Sequence, residues 1–149
     1  MKRQKSTLTQ RDKYLQKKFE ITEAEYDEQL KKQGGGCKIC GKPPTGKALH
    51  VDHDHAVERQ KVYSKKSPVG GWSAWAGDGT QYFTTAALKS VAISRIRKCL
   101  KKLSVRGILC WKCNTSLKKF NDNPVLMQNS AVYILSYLQK MKNGRNGFE

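Results

Sequence analysis

Negative charge is scarce in this chain of 149 residues: 12 Asp and Glu stand against 29 Lys and Arg, a formal net charge of +17. So large an imbalance points to a polyanionic partner, either nucleic acid or an anionic membrane. Long apolar runs are missing as well. There is no stretch of about 18 apolar residues to cross a bilayer and no secretory leader pattern at the start. A membrane is therefore set aside and nucleic acid is left. Internal repeats are absent, and the length is that of one domain. Histidine is nearly absent too, but its three copies all fall between His50 and His55.

The five cysteines come without a secretory signal, so the expected compartment is reducing and the location cytoplasmic. Four of them form two pairs, Cys37-x-x-Cys40 and Cys110-x-x-Cys113, with 69 residues between the pairs. Two such pairs offer a tetrahedral thiolate cage to structural Zn²⁺, because ligands three apart on a tight turn can both face one ion. The fifth, Cys99, falls on what reads as the inner face of a helix and is expected to be a buried apolar residue.

Residues 1–20 are basic and read either as a loose arm or as a short helix around Arg11–Phe19. Thr22 and Glu25 make a capping box that starts a helix, and Gly34-Gly35-Gly36 ends it ahead of Cys37. Ala48–Asp52 alternates like a short strand, and Asp54-His55-Ala56 is expected to be loop. Residues 56–104 have their own texture. Gly70–Ala76 and Thr80–Thr84 flank Gly77-Asp78-Gly79 as a hairpin, and Thr85–Leu103 carries an apolar stripe at helical spacing. The basic residues Lys89, Arg95, Lys98, Lys101 and Lys102 lie off that stripe, as a helix face suited to a DNA groove would place them. Trp72, Trp75, Tyr82 and Phe83 either build the hairpin's own core or stack on bases. Val105–Leu109 reads as the strand leading to the second cysteine pair, with a helix from Asn114 to Phe120. A last helix, capped by Asp122 or Asn123 and opened by Pro124, has Val125, Ala131, Ile134, Leu135 and Leu138 on its apolar face.

Between the cysteine pairs lies Leu49-His50-Val51-Asp52-His53-Asp54-His55. Phosphodiester hydrolysis needs an activated water and a cation against the developing charge. The imidazole of His53 can accept a proton from water near neutral pH, and the carboxylate of Asp52 beside it can hold Mg²⁺. Strand neighbours point to opposite faces, so the chain must leave regular strand geometry at or just after Asp52 if both act on one phosphate. A second zinc site or a plain polar turn is the alternative reading of the same residues.

Three segments carry a family resemblance. They are Ile21-Thr22-x-x-x-Tyr26 with Gln33-Gly34-Gly35-Gly36-Cys37-x-Ile39-Cys40-Gly41, the segment Leu49–His55, and Val105-Arg106-Gly107-Ile108-Leu109-Cys110-x-x-Cys113-Asn114. Together they resemble the phage recombination endonuclease VII family of the HNH, or ββα-metal, superfamily (the His-Me finger nucleases). The resemblance spans roughly residues 10–55 and 105–140 in the same order. It implies an α+β fold, a small zinc-stabilised ββα-metal nuclease core over residues 21–55 and 105–142 with flanking helices, while residues 56–104 are read from their own hairpin and basic helix as an inserted, DNA-contacting subdomain.

The activity implied is Mg²⁺- or Mn²⁺-dependent hydrolysis of DNA, branched or duplex, with four-way junctions cut by a homodimer in the host cytoplasm. His53 would be the general base, Asp52 and Asn114 the ligands of the catalytic cation, and Cys37, Cys40, Cys110 and Cys113 the zinc ligands. His55 would help position phosphate or metal, and Arg106 would touch the backbone phosphate or form a nearby salt bridge. Two departures stand out: about fifty residues intervene where the family has a short loop, and Leu117 occupies the place of a glutamate. The alternatives are a nicking, homing or restriction-type endonuclease guided by the insert, and a zinc-knuckle DNA-binding protein without turnover.

Overall fold

A computed structural model describes residues 8–77 and 82–145. By its contacts the chain divides into one unit ending at Cys110 and another beginning at Trp111.

The first unit opens with two short helices, α1 (Gln10–Phe19) and α2 (Glu23–Lys32). Thr9 caps α1, and the reciprocal Thr22–Glu25 box starts α2 as the sequence suggests. Asp12 ties the two together. It is 7% exposed, and its carboxylate accepts from the Glu23 backbone N–H at 2.7 Å and from Gln16 Nε2 at 2.7 Å. The α2 helix then stops because Gly34 and Gly35 adopt positive φ, with the Gly35 N–H returning to the Leu30 carbonyl at 2.9 Å.

Strand β1 (His50–His53) pairs antiparallel with β5 (Val105–Leu109). A second sheet is the meander β2 (Val62–Lys66), β3 (Trp72–Ala76) and β4 (Tyr82–Ala86). Helix α4 (Lys89–Ser104) lies across this meander and runs directly into β5. The packing follows from two periodicities. Ala74 and Ala76 share one face of β3, while Ala92, Ile96 and Leu100 recur every four residues on α4, and all five are buried together. Small alanines let the helix sit close to the sheet. Helix α1 packs on α4 and α2 on β5, with Leu15, Phe19, Ile21, Tyr26, Val51, Ile108 and Leu109 buried.

Several expectations are corrected. Residues His55–Glu58 form a short helix, α3, rather than loop, because the Asp54 carboxylate caps it by accepting from Ala56 N–H at 2.8 Å and Val57 N–H at 3.2 Å. The helix expected from Thr85 begins only at Lys89, since Thr84–Ala86 are taken up by β4 pairing with β3. Strand β2 went unread. Cys99 is exposed rather than buried: it follows the apolar spacing loosely but falls outside the Ala92–Ile96–Leu100 stripe. Of the expected turn Gly77-Asp78-Gly79, Asp78 and Gly79 lie outside the described residues. Of the hairpin aromatics, Trp72 joins the core, Trp75 stacks on Tyr63 at 6.0 Å on the other face, and Phe83 is exposed.

In the second unit, α5 (Trp111–Lys119) turns through Asn121 and Asp122, both at positive φ, into α6 (Pro124–Arg145). Asn123 is the cap, accepting from Val125 N–H at 2.9 Å and Leu126 N–H at 3.3 Å. The side chains of Val132, Tyr133, Ile134, Leu135, Tyr137 and Leu138 on α6 are exposed.

Candidate active site and cysteine cluster

The first cysteine pair sits on a tight turn. The Gly41 N–H donates to the Cys37 carbonyl at 2.8 Å and the Cys37 N–H to the Lys42 carbonyl at 2.9 Å. Gly36 precedes it because a Cβ there would collide with the Gly41 carbonyl. Gln33 ties this turn to β5: its Nε2 donates to the Gly36 carbonyl and to the Ile108 carbonyl at 2.6 Å, and its Oε1 accepts from the Ile108 N–H at 3.2 Å. Lys38 N–H adds a bond to the Ile108 carbonyl at 3.1 Å. Cys110 follows the end of β5 directly, so these bonds fix the strand that delivers the second pair.

The sulfurs of Cys37, Cys40, Cys110 and Cys113 lie within 4.8 Å of one another, with Cys40 and Cys110 3.9 Å apart. Tetrahedral Zn–S bonds of ~2.3 Å would set sulfurs roughly 3.8 Å apart, so the spacing fits a zinc-sized ion. Burial works to raise the Cys37 thiol, but backbone N–H groups of Cys110, Cys40 and Ile39 and the Cys40 side chain outweigh it and bring the pKa to about 6. A thiolate already stabilised by N–H donors is what a metal cage requires. The four-cysteine group can hold a metal such as zinc.

The second constellation is built on a β-bulge. Asp52 pairs with Gly107 but His53 pairs with Val105, so Arg106 is an extra residue on β5 and the register shifts between Asp52 and His53. The bulge aims Arg106 at Asp52: Nε donates to Oδ2 at 2.9 Å and Nη2 to Oδ1 at 3.0 Å. Asp52 is 7% exposed, so the fork of donors compensates a carboxylate taken out of water. Behind the strand, the Tyr26 hydroxyl donates to the Leu49 carbonyl at 2.8 Å.

His53 leaves the strand half-buried, edge-on to Phe19 at 5.3 Å between ring centres and 4.4 Å from the His55 ring. Its Nε2 is 3.4 Å from Glu58 Oε2, and His55 Nδ1 is 3.8 Å from the same oxygen. Burial lowers the His53 pKa below its ordinary value, helped by His55 and Lys18 and opposed by Glu58 and Asp52. The imidazole is therefore neutral at pH 7. Glu58 escaped the sequence reading. Its signal was the His55-x-x-Glu58 spacing, legible only once α3 is known to be helical.

His50 is exposed at the start of β1. Asn114 lies in the first turn of α5, partly exposed, and Leu117 on the same helix offers no carboxylate. The basic residues of α4 are engaged locally. Lys98 pairs with Glu20 at 3.7 Å, Lys102 with Glu25, and Lys101 donates to the Lys17 carbonyl at 3.2 Å. Arg95 donates to the Thr85 carbonyl at 2.8 Å, and Lys89 lies 5.1 Å over the Trp72 ring. Only the first two contacts neutralise charge, and such exposed pairs are weak.

The fold is α+β, and its four-cysteine group could hold a metal such as zinc. The family model of recombination endonuclease VII matches residues 12–139. The chain belongs to this family, whose members are nucleases that act on branched DNA in recombination. No curated protein and no solved structure matches it. No helix among the described residues is long and apolar enough to cross a membrane.

Proposed function

We propose that the chain is an HNH-type, Mg²⁺- or Mn²⁺-dependent endonuclease that hydrolyses phosphodiester bonds of branched DNA, with His53 as general base. The observation that carries this reading is the bulge between Asp52 and His53, which sets a neutral, half-buried imidazole beside a buried carboxylate held by Arg106. His53 takes the proton from the attacking water, while Phe19 and the strand end hold its ring. His55, on the first turn of α3, positions the phosphate.

The resemblance assigns the catalytic cation to Asp52 and Asn114, and hard oxygen donors suit Mg²⁺ or Mn²⁺. Each Asp52 oxygen accepts one bond from Arg106 and can accept another, so this carboxylate can still serve as an oxygen ligand. Such an ion would stabilise the negative charge that develops on the phosphate and leaving oxygen. Zn²⁺ in the cysteine cage supports the fold. Residues 21–55 and 105–142 constitute the nuclease core, and the basic residues 1–20 extend it, with α1 packed on α4. The exposed apolar side chains of α6 are consistent with a homodimer.

Cleavage of a labelled four-way junction mixed with linear duplex of the same sequence tests the reading, with His53→Ala excluding a contaminant. Symmetric Mg²⁺-dependent cuts near the branch support it. A second reading has its own observation: residues 56–104 form a sheet-and-helix layer with a separate apolar core, a scaffold able to read duplex sequence. Cuts at one fixed sequence in both substrates would favour that reading, and binding without product would favour a non-catalytic DNA-binding protein.

A further inference from the structure

Besides the four cysteines, the described residues hold one more group whose ligating atoms all lie within 4.8 Å of one another: His53, His55 and Glu58. The sharp turn that gathers them is built by backbone bonds. Asp54 N–H donates to the Ser104 carbonyl at 2.8 Å and its carboxylate caps α3, which places His55 and Glu58 on one helical turn facing the end of β1. A single oxygen, Glu58 Oε2, then faces His53 Nε2 at 3.4 Å and His55 Nδ1 at 3.8 Å. The three side chains converge from two elements on one point.

Their chemistry selects the ion. Two imidazoles and one carboxylate favour a borderline divalent transition metal, Zn²⁺ above all, over Mg²⁺ or Ca²⁺, which prefer oxygen. Three protein ligands also leave a coordination position open. Of the surrounding charges, Lys18 lies near His53 and Arg106 near Asp54, while Asp52 and Asp54 join Glu58 in offsetting them. Glu58 stands outside the segments that carry the family resemblance and has no other role in the site.

We propose that His53, His55 and Glu58 form a second divalent transition-metal site, and that an ion held there blocks His53 from accepting a proton. The second half rests on the general-base reading above. A neutral imidazole has one ring lone pair. Given to a metal, that pair is lost to water, and the other ring nitrogen carries the proton as a donor. Zn²⁺ is then an inhibitor at this position while the cysteine-bound ion remains structural.

The test counts metal without DNA. Protein with its cysteine cage loaded is dialysed against buffered Zn²⁺, and zinc per chain is measured by atomic emission for the native sequence, Glu58→Ala and His55→Ala, with circular dichroism confirming that each is folded. Co²⁺ titration gives an independent signature: the additional equivalent adds visible d–d bands without thiolate charge transfer. A second ion in the native protein that both variants lose supports the site; its absence from the native protein, or its retention in both variants, overturns it. Adding Zn²⁺ to a Mg²⁺-supported cleavage reaction tests the blockade. The half-inhibiting concentration should rise at least about tenfold in Glu58→Ala, relative to that variant's own uninhibited rate. Equal inhibition of both proteins would overturn the link to His53. A counted second ion with no cleavage under any condition would support the site and reject the nuclease reading instead.

Discussion

Arg106 grips Asp52 across the β1–β5 pair through two hydrogen bonds of 2.9 and 3.0 Å, and it can do so because it is the extra residue of the bulge. A regular ladder would have given every β5 residue a partner in register and turned alternate side chains away. The bulge thus couples the break in strand geometry to the neutralisation of a nearly buried carboxylate.

Removing that guanidinium leaves Asp52 without its fork. Arg106→Ala should cost about 2 kcal/mol, in line with lost bonds to a charged group, measured as a fall in urea midpoint at unchanged slope. Arg106→Lys should recover only part of it, since an ammonium lacks the planar pair of donors. Full recovery by lysine would mean that charge alone, and not the fork, holds Asp52.

His53→Ala should lower cleavage by roughly 10²-fold or more while zinc content and DNA binding stay as they were. The native pH–rate profile should have its acid limb below the ordinary imidazole range, because burial lowers the His53 pKa. An unchanged rate in the variant would remove His53 from the chemistry.

Cys110→Ser should release the metal and unfold the first unit, because metal binding and folding are coupled in such cages. Circular dichroism with a zinc count reads both at once. A folded, metal-free, active variant would refute a structural role for the cluster.

Tyr26 predicts an alkaline limit. Burial raises its pKa above the ordinary phenol value, with Arg11, 4.3 Å over its ring, pulling the other way. A raised folded value means that the fold favours the neutral phenol. The stabilisation is complete below the unfolded value of about 10 and is lost as pH rises through the folded one. Tyr26→Phe should flatten stability above that pH, at a neutral-pH cost of about 1–2 kcal/mol for the orphaned Leu49 carbonyl. Thermal melts at pH 8 and above compare the two proteins.

DNA binding should weaken steeply with salt as counterions are released. Arg95→Ala should reduce the slope of log K against log salt by about one. Lys98→Ala should reduce it less, because Lys98 is shared with Glu20 at 3.7 Å. Equal reductions would show that this pair opens on DNA.

Local features were legible because short-range rules govern them. The Thr22–Glu25 box, the glycine stop after α2, the cysteine spacing and the apolar stripe of α4 each depend on residues within a few positions. The elements β2 and α3 were not, since Val62-Tyr63-Ser64-Lys65-Lys66 lacks an apolar and polar alternation and the single turn of α3 depends on the Asp54 cap. Cys99 was misread for a related reason: a stripe at mixed three and four spacing is wider than the face that α4 buries.

The charge balance by itself pointed to a polyanionic partner, the cysteine spacing to a group able to hold a metal, and the resemblance of three short segments to the family. Only the tertiary structure decided which residues meet. The grip of Arg106 on Asp52 joins positions 54 apart, and it exists because β5 bulges against β1. Glu58 meets His53 and His55 because a cap at Asp54 turns the chain back on the strand end. Register and chain reversal are set by long-range pairing, which no window of neighbouring residues encodes.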